Sequence, residues 1–391
     1  MKTVLLAWEL GANLGHVGPL LRIARELRRH GHRPVFALRD VVGPRPLFLA
    51  DEGIPVLQAP VWLKPDILRG RLYTISSYAD NLAAFGFADA EDLSAMVEAW
   101  DTLLGLIKPD LVIADHSPTL CLAAYGAIPL AIIGNGYTVP PVHSSSFPPL
   151  YPNQPPLMAE TRLLENVHAV QRRRGRSAPP TLPALFDAPL RAIATFPELD
   201  PYRGSRREPV LPPLEEMPAE TPLPAEPHLF AYLGEEHPAL ETLVQCLVEL
   251  NAAVEVYLRG NLGAFRRLLA ARGARVHERP PPLAEVLPRA RIVVSQAGST
   301  TAHAALAAGR PQVLLPLHVE ADLTSSALVS LGVGVRVRKD AEKRDVESAL
   351  NEAMNSGDLR DKAHGCAAII AARPPIDSLA TVTNACLQLL S

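Results

Sequence analysis

The sequence predicts an α/β protein made of two open parallel sheets in succession, and three observations predict it. Short apolar runs alternate with helical patterns in both halves of the chain. A proline-rich stretch, residues 208–227, separates the two series. At 391 residues the chain is also long enough for two cores of ordinary domain size. Two such units facing each other would enclose a cleft, since open sheets bind ligands at the carboxyl ends of their strands.

Each element has its own signal. Residues 4–8, 33–38, 111–114 and 130–133 are short apolar runs and read as strands of the first unit. Between the first two, Leu20, Leu21, Ile23, Ala24 and Leu27 recur at the spacing of one helix face. Gly31 follows where a left-handed residue ends such a helix. The alternation is strand, helix, strand, which gives parallel strands covered by helices. Residues 140–156 hold too much proline for a helix or a central strand and read as a long ordered loop. After the proline-rich break the series resumes with strands at 228–233, 253–258, 275–277, 292–295 and 312–316. Helices are expected at 238–250 and 262–272, and again at 378–390. The expected layout is a first domain over 1–210, a linker over 211–227, a second domain over 228–375 and a final helical segment over 376–391.

Composition excludes several classes. Apolar residues make up 48% and charged residues 20%, which is ordinary for a globular protein and unlike a disordered one. A net charge of −3 leaves no basic stripe for a phosphate backbone, so nucleic acid is not an expected partner. The 39 prolines are about twice the usual 5%. Cys121, Cys246, Cys366 and Cys386 lack C-x-x-C spacing, so neither a zinc site nor a disulfide framework is indicated, and a reduced cytoplasmic compartment fits. The opening MKTVLLAWEL is too brief for a signal sequence, and the longest apolar stretch, 120–133, is interrupted by Gly126 and Pro129, so no membrane span is expected.

The most informative stretch is RIVVSQAGSTTAHAALAAGRPQVLLPLHVEAD, residues 291–322. A buried strand ends in a loop of small residues, and Ser299 is placed to cap a short helix. Small side chains at Ala297, Gly298, Ser299 and Thr300 let a phosphate approach the amides of a helix N-terminus. A bare strand-to-helix turn has the same need for small residues, so composition leaves both readings open. There is no P-loop lysine, and γ-phosphate transfer is not implied.

This stretch resembles the donor-binding signature of family 1 glycosyltransferases of the GT-B fold, the group that contains bacterial macrolide glycosyltransferases. Their pattern runs H-G-G-x-G-T, an Ala/Leu-rich helix, G-x-P, a strand ending in proline, and an acidic-Gln pair. Here Gln296, Ala297, Gly298, Ser299, Thr300 and Thr301 occupy the signature, Leu306, Gly309, Pro311 and Pro316 keep step, and Glu320 and Ala321 fall on the pair that contacts the sugar. Three positions depart from it: Gln296 replaces the diphosphate-contacting histidine, Thr300 a glycine-rich position, and Ala321 the glutamine. An amide still donates to a phosphate oxygen. The resemblance also implies donor contacts at Gly234 and Glu235, and nucleobase packing at Arg279, Pro280 and Leu283.

Family members carry G-H-x-x-P at the first strand-to-helix junction, and GHVGP, residues 15–19, matches it. The resemblance makes His16 the general base, a task suited to an imidazole. It makes Asp115, at the end of the strand in KPDLVIADHSP, the carboxylate that orients it. His116 beside it reads as loop lining. Trp62, Tyr73, Tyr78, Phe85, Phe87, Tyr137, His143 and Phe147 are candidates for an apolar acceptor pocket.

The implied protein is an inverting, metal-independent glycosyltransferase with two facing Rossmann-like domains. It would move a sugar from a UDP- or dTDP-sugar to a hydroxyl of a small apolar acceptor, with no cofactor beyond that co-substrate, and its last helix would cross back to the first domain. Two alternatives stay open: a non-catalytic sugar-nucleotide-binding relative and a GT-B-shaped sugar-nucleotide epimerase. A nicotinamide dehydrogenase fits poorly, because Gly11, Gly15 and Gly18 do not give G-x-G-x-x-G although Asp40 follows the second strand. Homodimerisation and peripheral association are left open.

Overall fold

Strands covered on both faces need near-continuous runs of branched apolar residues, and such runs form the middle of each sheet. The computed structural model describes residues 1–11, 14–44, 49–50, 52–63 and 75–391. The chain divides into two compact units, Met1–Leu214 together with Ile376–Ser391, and Glu215–Pro375.

The first unit holds β1 (Thr3–Trp8), β2 (Arg33–Leu38), β3 (Val56–Gln58), β4 (Leu111–Asp115), β5 (Leu130–Gly134) and β6 (Leu190–Ile193). They form a parallel sheet in the order β3-β2-β1-β4-β5-β6. Its helices are α1 (Val17–Arg29), α2 (Tyr78–Leu82), α3 (Ala90–Ile107), α4 (Pro118–Ala124) and α5 (Glu160–Arg173). The second unit holds β7 (His228–Gly234), β8 (Ala253–Arg259), β9 (Arg275–His277), β10 (Ile292–Ser295), β11 (Gln312–Leu314) and β12 (Gly334–Arg336), parallel in the order β12-β11-β10-β7-β8-β9. Its helices are α6 (Leu240–Glu249), α7 (Gly263–Ala271), α8 (Leu283–Val286), α9 (Ser299–Ala307), α10 (Val319–Ser330), α11 (Lys343–Asn355) and α12 (Gly357–Ala371). Both units therefore have one topology, in which the first strand lies between the second and the fourth.

The last helix, α13 (Ser378–Leu390), belongs to the first unit. Its Val382, Cys386 and Leu390 join Leu20, Ile23, Ala24 and Leu27 of α1 in that unit's core, and the Ser378 hydroxyl donates to the Pro212 carbonyl at 2.8 Å. Gly31, at φ +80°, ends α1 in the left-handed conformation that costs glycine least.

Residues 208–227 form neither helix nor strand, yet both of their ends are bonded. Leu211 exchanges backbone hydrogen bonds of 2.8 Å with Ile193 and Thr195, lengthening the sheet edge past β6. From Glu215 onward the stretch belongs to the second unit. Proline offers a carbonyl and no N–H, so such a segment needs donors from elsewhere. Arg310, only 1% exposed, supplies them to Thr221 O at 2.9 Å and Pro222 O at 3.3 Å, and also to Leu287 O and the Thr221 hydroxyl. Arg291 donates to Ala225 O at 3.0 Å. The units thus part at 214/215, inside the stretch expected to be linker, because each half of it is tied to a different core.

Burial pulls the Arg310 guanidinium down to about 10. Arg310→Met should lower the unfolding free energy by about 2–3 kcal/mol, since it leaves buried carbonyls without donors. Urea titration measures the loss, and limited proteolysis should show new cleavage within 215–227.

Candidate active site

The strand order sets the first site. β1 and β4 are neighbours with Trp8 opposite Asp115, so the loops leaving their carboxyl ends start side by side. His16 stands at the N-terminal boundary of α1, and its side chain makes no capping bond there. Instead Nδ1 lies 3.1 Å from Asp115 Oδ2, with the two side chains 12% and 5% exposed. The imidazole stacks on Trp8, centroids 5.2 Å apart and planes 19° apart. A carboxylate can only accept, so Nδ1 donates, and in the neutral ring Nε2 is then the acceptor. Nε2 lies over Gly11, where a Cβ would come within 2.7 Å of it, and Gly11 has φ +94°. Glycine is required there by both the close approach and the backbone conformation.

Glu9 carries no motif signal in the sequence, and the structure buries it to 1% exposure beside this pair. Its carboxylate accepts from Thr119 N at 3.1 Å, Leu120 N at 3.3 Å and Thr119 Oγ1 at 2.7 Å, capping α4 from the end of β1. Trp100 Nε1 donates to the same threonine oxygen at 2.9 Å. Burial pushes the Glu9 carboxyl up to about 7, against these hydrogen bonds. Between Asp115 and α4 lies His116, a non-glycine residue at φ +45°, a conformation kept only where surroundings enforce it.

The aromatic candidates fall into three places. Tyr78, Tyr137 and Phe147 come together with Phe186 and His116, with Tyr78 5.7 Å from Tyr137, 5.4 Å from Phe147 and 5.5 Å from Phe186. The His116 ring is 6.0 Å from Tyr137 and 6.1 Å from His16, so this cluster is continuous with the His16 ring. Tyr78 and Phe87 have no exposed surface. Trp62 lies against Gly86, and Phe85 precedes that glycine in a broken turn of helix. His143 instead pairs with Glu208 at 2.9 Å. Tyr73 lies outside the described residues. The 140–156 loop is held by Leu150 N on Ser76 O at 2.8 Å and by Phe147 N on the Glu160 carboxyl, which burial pushes up to about 7.

The second unit repeats the geometry with other chemistry. β10 runs beside β7, and after β10 the Gln296 side-chain amide donates to Gly234 O at 3.3 Å, across the same pair of strand ends. Ala297 turns the chain at φ +56° with no exposed surface, and its N–H goes to Ser295 Oγ at 3.1 Å. α9 begins at Ser299, so its cap is Gly298 and not the serine, and this cap has no side chain to offer. Extended Gly298 after left-handed Ala297 brings the helix start one residue earlier than a serine cap would. Thr300 Oγ1 donates to Glu215 Oε1 at 2.7 Å, while Thr301 is buried.

Other donor candidates are placed as follows. Gly234 ends β7, where a Cβ would meet Arg259 and Glu236. Glu235 is exposed and accepts from Asn261 N at 2.8 Å, so its carboxylate serves the turn after β8. Leu283 packs with Tyr232 and Met217 against Phe230, Val293 and Ala304 of the core beneath α9. Arg279 is exposed and Pro280 half-buried in the turn ahead of it. Ala321 has no exposed surface and lies on α10 beside half-buried Glu320. His318, unmarked in the sequence, caps that helix through its side chain. Among the described residues no group of three or more His, Cys, Asp or Glu side chains is set to hold a metal ion, and no helix is long and apolar enough to cross a membrane.

No family model and no curated protein matches the chain in sequence. Solved structures match it along its whole length. CalG4, the calicheamicin glycosyltransferase, superposes with a TM-score of 0.69 at 19% identity, covering 100% of this chain and 98% of that one. The spinosyn rhamnosyltransferase SpnG gives 0.66 at 16% identity, over 98% and 99%. SsfS6 from Streptomyces sp. SF2575, solved with thymidine diphosphate, gives 0.63 at 22%, over 98% and 100%. At these identities the likeness establishes the fold, and the chain has the GT-B fold of these glycosyltransferases.

Glu9 gives a pH signature of its own. Unfolded, the carboxyl ionises near 4.5; folded, it keeps its proton to about 7. Its contribution to stability is therefore fully present below pH 4.5 and is lost by about pH 7, a fall of about 3 kcal/mol. Urea unfolding from pH 4.5 to 8 should show this decline in the wild type and a flatter profile in Glu9→Gln.

Proposed function

We propose that the chain is an inverting, metal-independent glycosyltransferase that moves a sugar from a UDP- or dTDP-sugar to a hydroxyl of a small apolar acceptor. The observation that carries this reading is the His16–Asp115 pair at the switch point of the first sheet, its Nε2 positioned over a glycine. Nε2 takes the proton of the acceptor hydroxyl as its oxygen attacks the anomeric carbon and the carbon–phosphate-oxygen bond breaks. Asp115 fixes the tautomer and stabilises the imidazolium. A single displacement of this kind inverts the anomeric centre.

The departing diphosphate needs compensation for its charge. The α9 N-terminus supplies it through backbone amides and the helix dipole, with Gln296 beside it. The cluster around Tyr137 and Phe147 supports an apolar acceptor, because it joins the base through His116. The neighbours' names support the same class of reaction: calicheamicin and spinosyn transferases, and one solved with thymidine diphosphate.

Turnover and binding should separate. His16→Ala should lower transfer on the order of 10²- to 10⁴-fold with donor affinity unchanged, and adding Asp115→Asn should cost less than its single effect. Assays with UDP- and dTDP-sugars in EDTA test this, and wild-type rates in His16→Ala would defeat the mechanism.

Calorimetry with free UDP and dTDP tests the cradle. Gln296→Ala should weaken binding by about 0.5–1.5 kcal/mol, one hydrogen bond's worth. Glu215→Gln should tighten it, because a carboxylate on Thr300 repels an arriving anion. Unchanged affinity in both would remove this loop from donor binding.

A further inference from the structure

We propose that Glu9 is a positioning residue of the His16–Asp115 pair: its carboxylate clamps the turn that follows Asp115 onto the end of β1, and so sets the geometry between base and partner. This rests on the function proposed above. Among the described residues the two loops that carry the pair are joined at several points, and Glu9 accepts three of the hydrogen bonds. On one side Trp8 supports the His16 ring, Glu9 follows it, and Leu10 N donates to His116 O at 2.9 Å. On the other, the segment from Asp115 to Leu120 returns Ser117 Oγ to Ala7 O at 3.3 Å, and Thr119 and Leu120 N–H groups to Glu9.

A local residue could have capped α4. Ser117 stands at its cap position, but its hydroxyl goes to Asp115 O at 2.9 Å and to Ala7 instead. A serine or aspartate cap contributes about 1 kcal/mol without burying a carboxylate. The chain instead uses a carboxylate from 110 residues away. That choice costs desolvation and gains what a local cap lacks, a direct tie between the loop of the base and the loop of its partner. The same tie holds His116 at φ +45°, in the link between Asp115 and the clamp. A rotation at His116 would swing Asp115 off Nδ1. Trp100 of α3 fixes Thr119 from behind, so the clamp is anchored to the unit's core.

Glu9→Gln keeps size and shape and tests the proposal at pH 8, where the wild-type carboxyl is ionised. The expected result is kcat lowered 10- to 100-fold, KM for the sugar nucleotide within twofold of wild type, and a melting temperature no lower. Combined with Asp115→Asn the losses should fail to add, as for residues acting through one contact. Thr119→Val, which removes one of the three donors, should lower kcat less. Long-range ¹H–¹⁵N spectra of the histidines give a readout free of turnover: His16 should be the Nδ1–H tautomer in wild type and a mixture in Glu9→Gln. A purely structural glutamate would change melting temperature while leaving kcat and the His16 spectrum untouched, and that outcome overturns the proposal. If the wild type transfers no sugar, the assigned reaction fails while the spectra still decide whether Glu9 positions His16.

Discussion

Both units depend on one constraint, the adjacency of the first and fourth strands in a parallel sheet. In such a sheet the connections on the two sides of that junction leave in opposite directions, and their starting points are left side by side at the carboxyl edge. His16 and Asp115 meet across this junction in the first unit, and Gln296 reaches Gly234 across it in the second. Neither pair is near in sequence. The hydrogen-bond ladder between β1 and β4, with Trp8 opposite Asp115, supplies their proximity before any side chain is chosen.

The two junctions are furnished by opposite means. The first is crowded with buried polar groups, a carboxylate on three donors, a serine on two carbonyls and a stacked imidazole, each satisfied at the cost of desolvation. Such groups hold side chains in one arrangement, which proton transfer needs. The second junction is lined by small residues and backbone, with strain at Ala297 and a cap without a side chain. Small residues leave room there for a bulky group, and the Glu215 carboxylate accepts from Thr300 in the first turn of α9.

Periodicity made much of this legible in the sequence. The central strands stand where their apolar runs lie, and α13 matches residue for residue, because a buried run or a single apolar face is a local property. Edge strands β3 and β12 have three residues each, too short for a period, and unlike β9 of the same length they went unread in the sequence. Helix α3 was also unread, since Leu93, Met96, Val97, Trp100 and Leu104 mingle with apolar residues on other faces. His16 and Asp115 were readable only because GHVGP and the strand before Asp115 resemble a known pattern. Glu9, His318 and Glu215 were not, since their partners lie far along the chain or in a backbone amide that no side-chain pattern records. The burial of Ala321 is likewise a matter of packing that its place in the motif does not record.

The return of α13 has a practical consequence for anyone building hybrids from proteins of this shape. The second unit is an insertion within the first, with seams at 214/215 and 375/376. A chimaera cut once in the proline-rich stretch would graft a foreign α13 onto the native α1, mismatching Val382, Cys386 and Leu390 with the surface they fill. It would also separate the carbonyls of Thr221 and Pro222 from Arg310 unless the cut preceded them. The exchangeable cassette is 215–375, taken whole, with both ends of the recipient left in place.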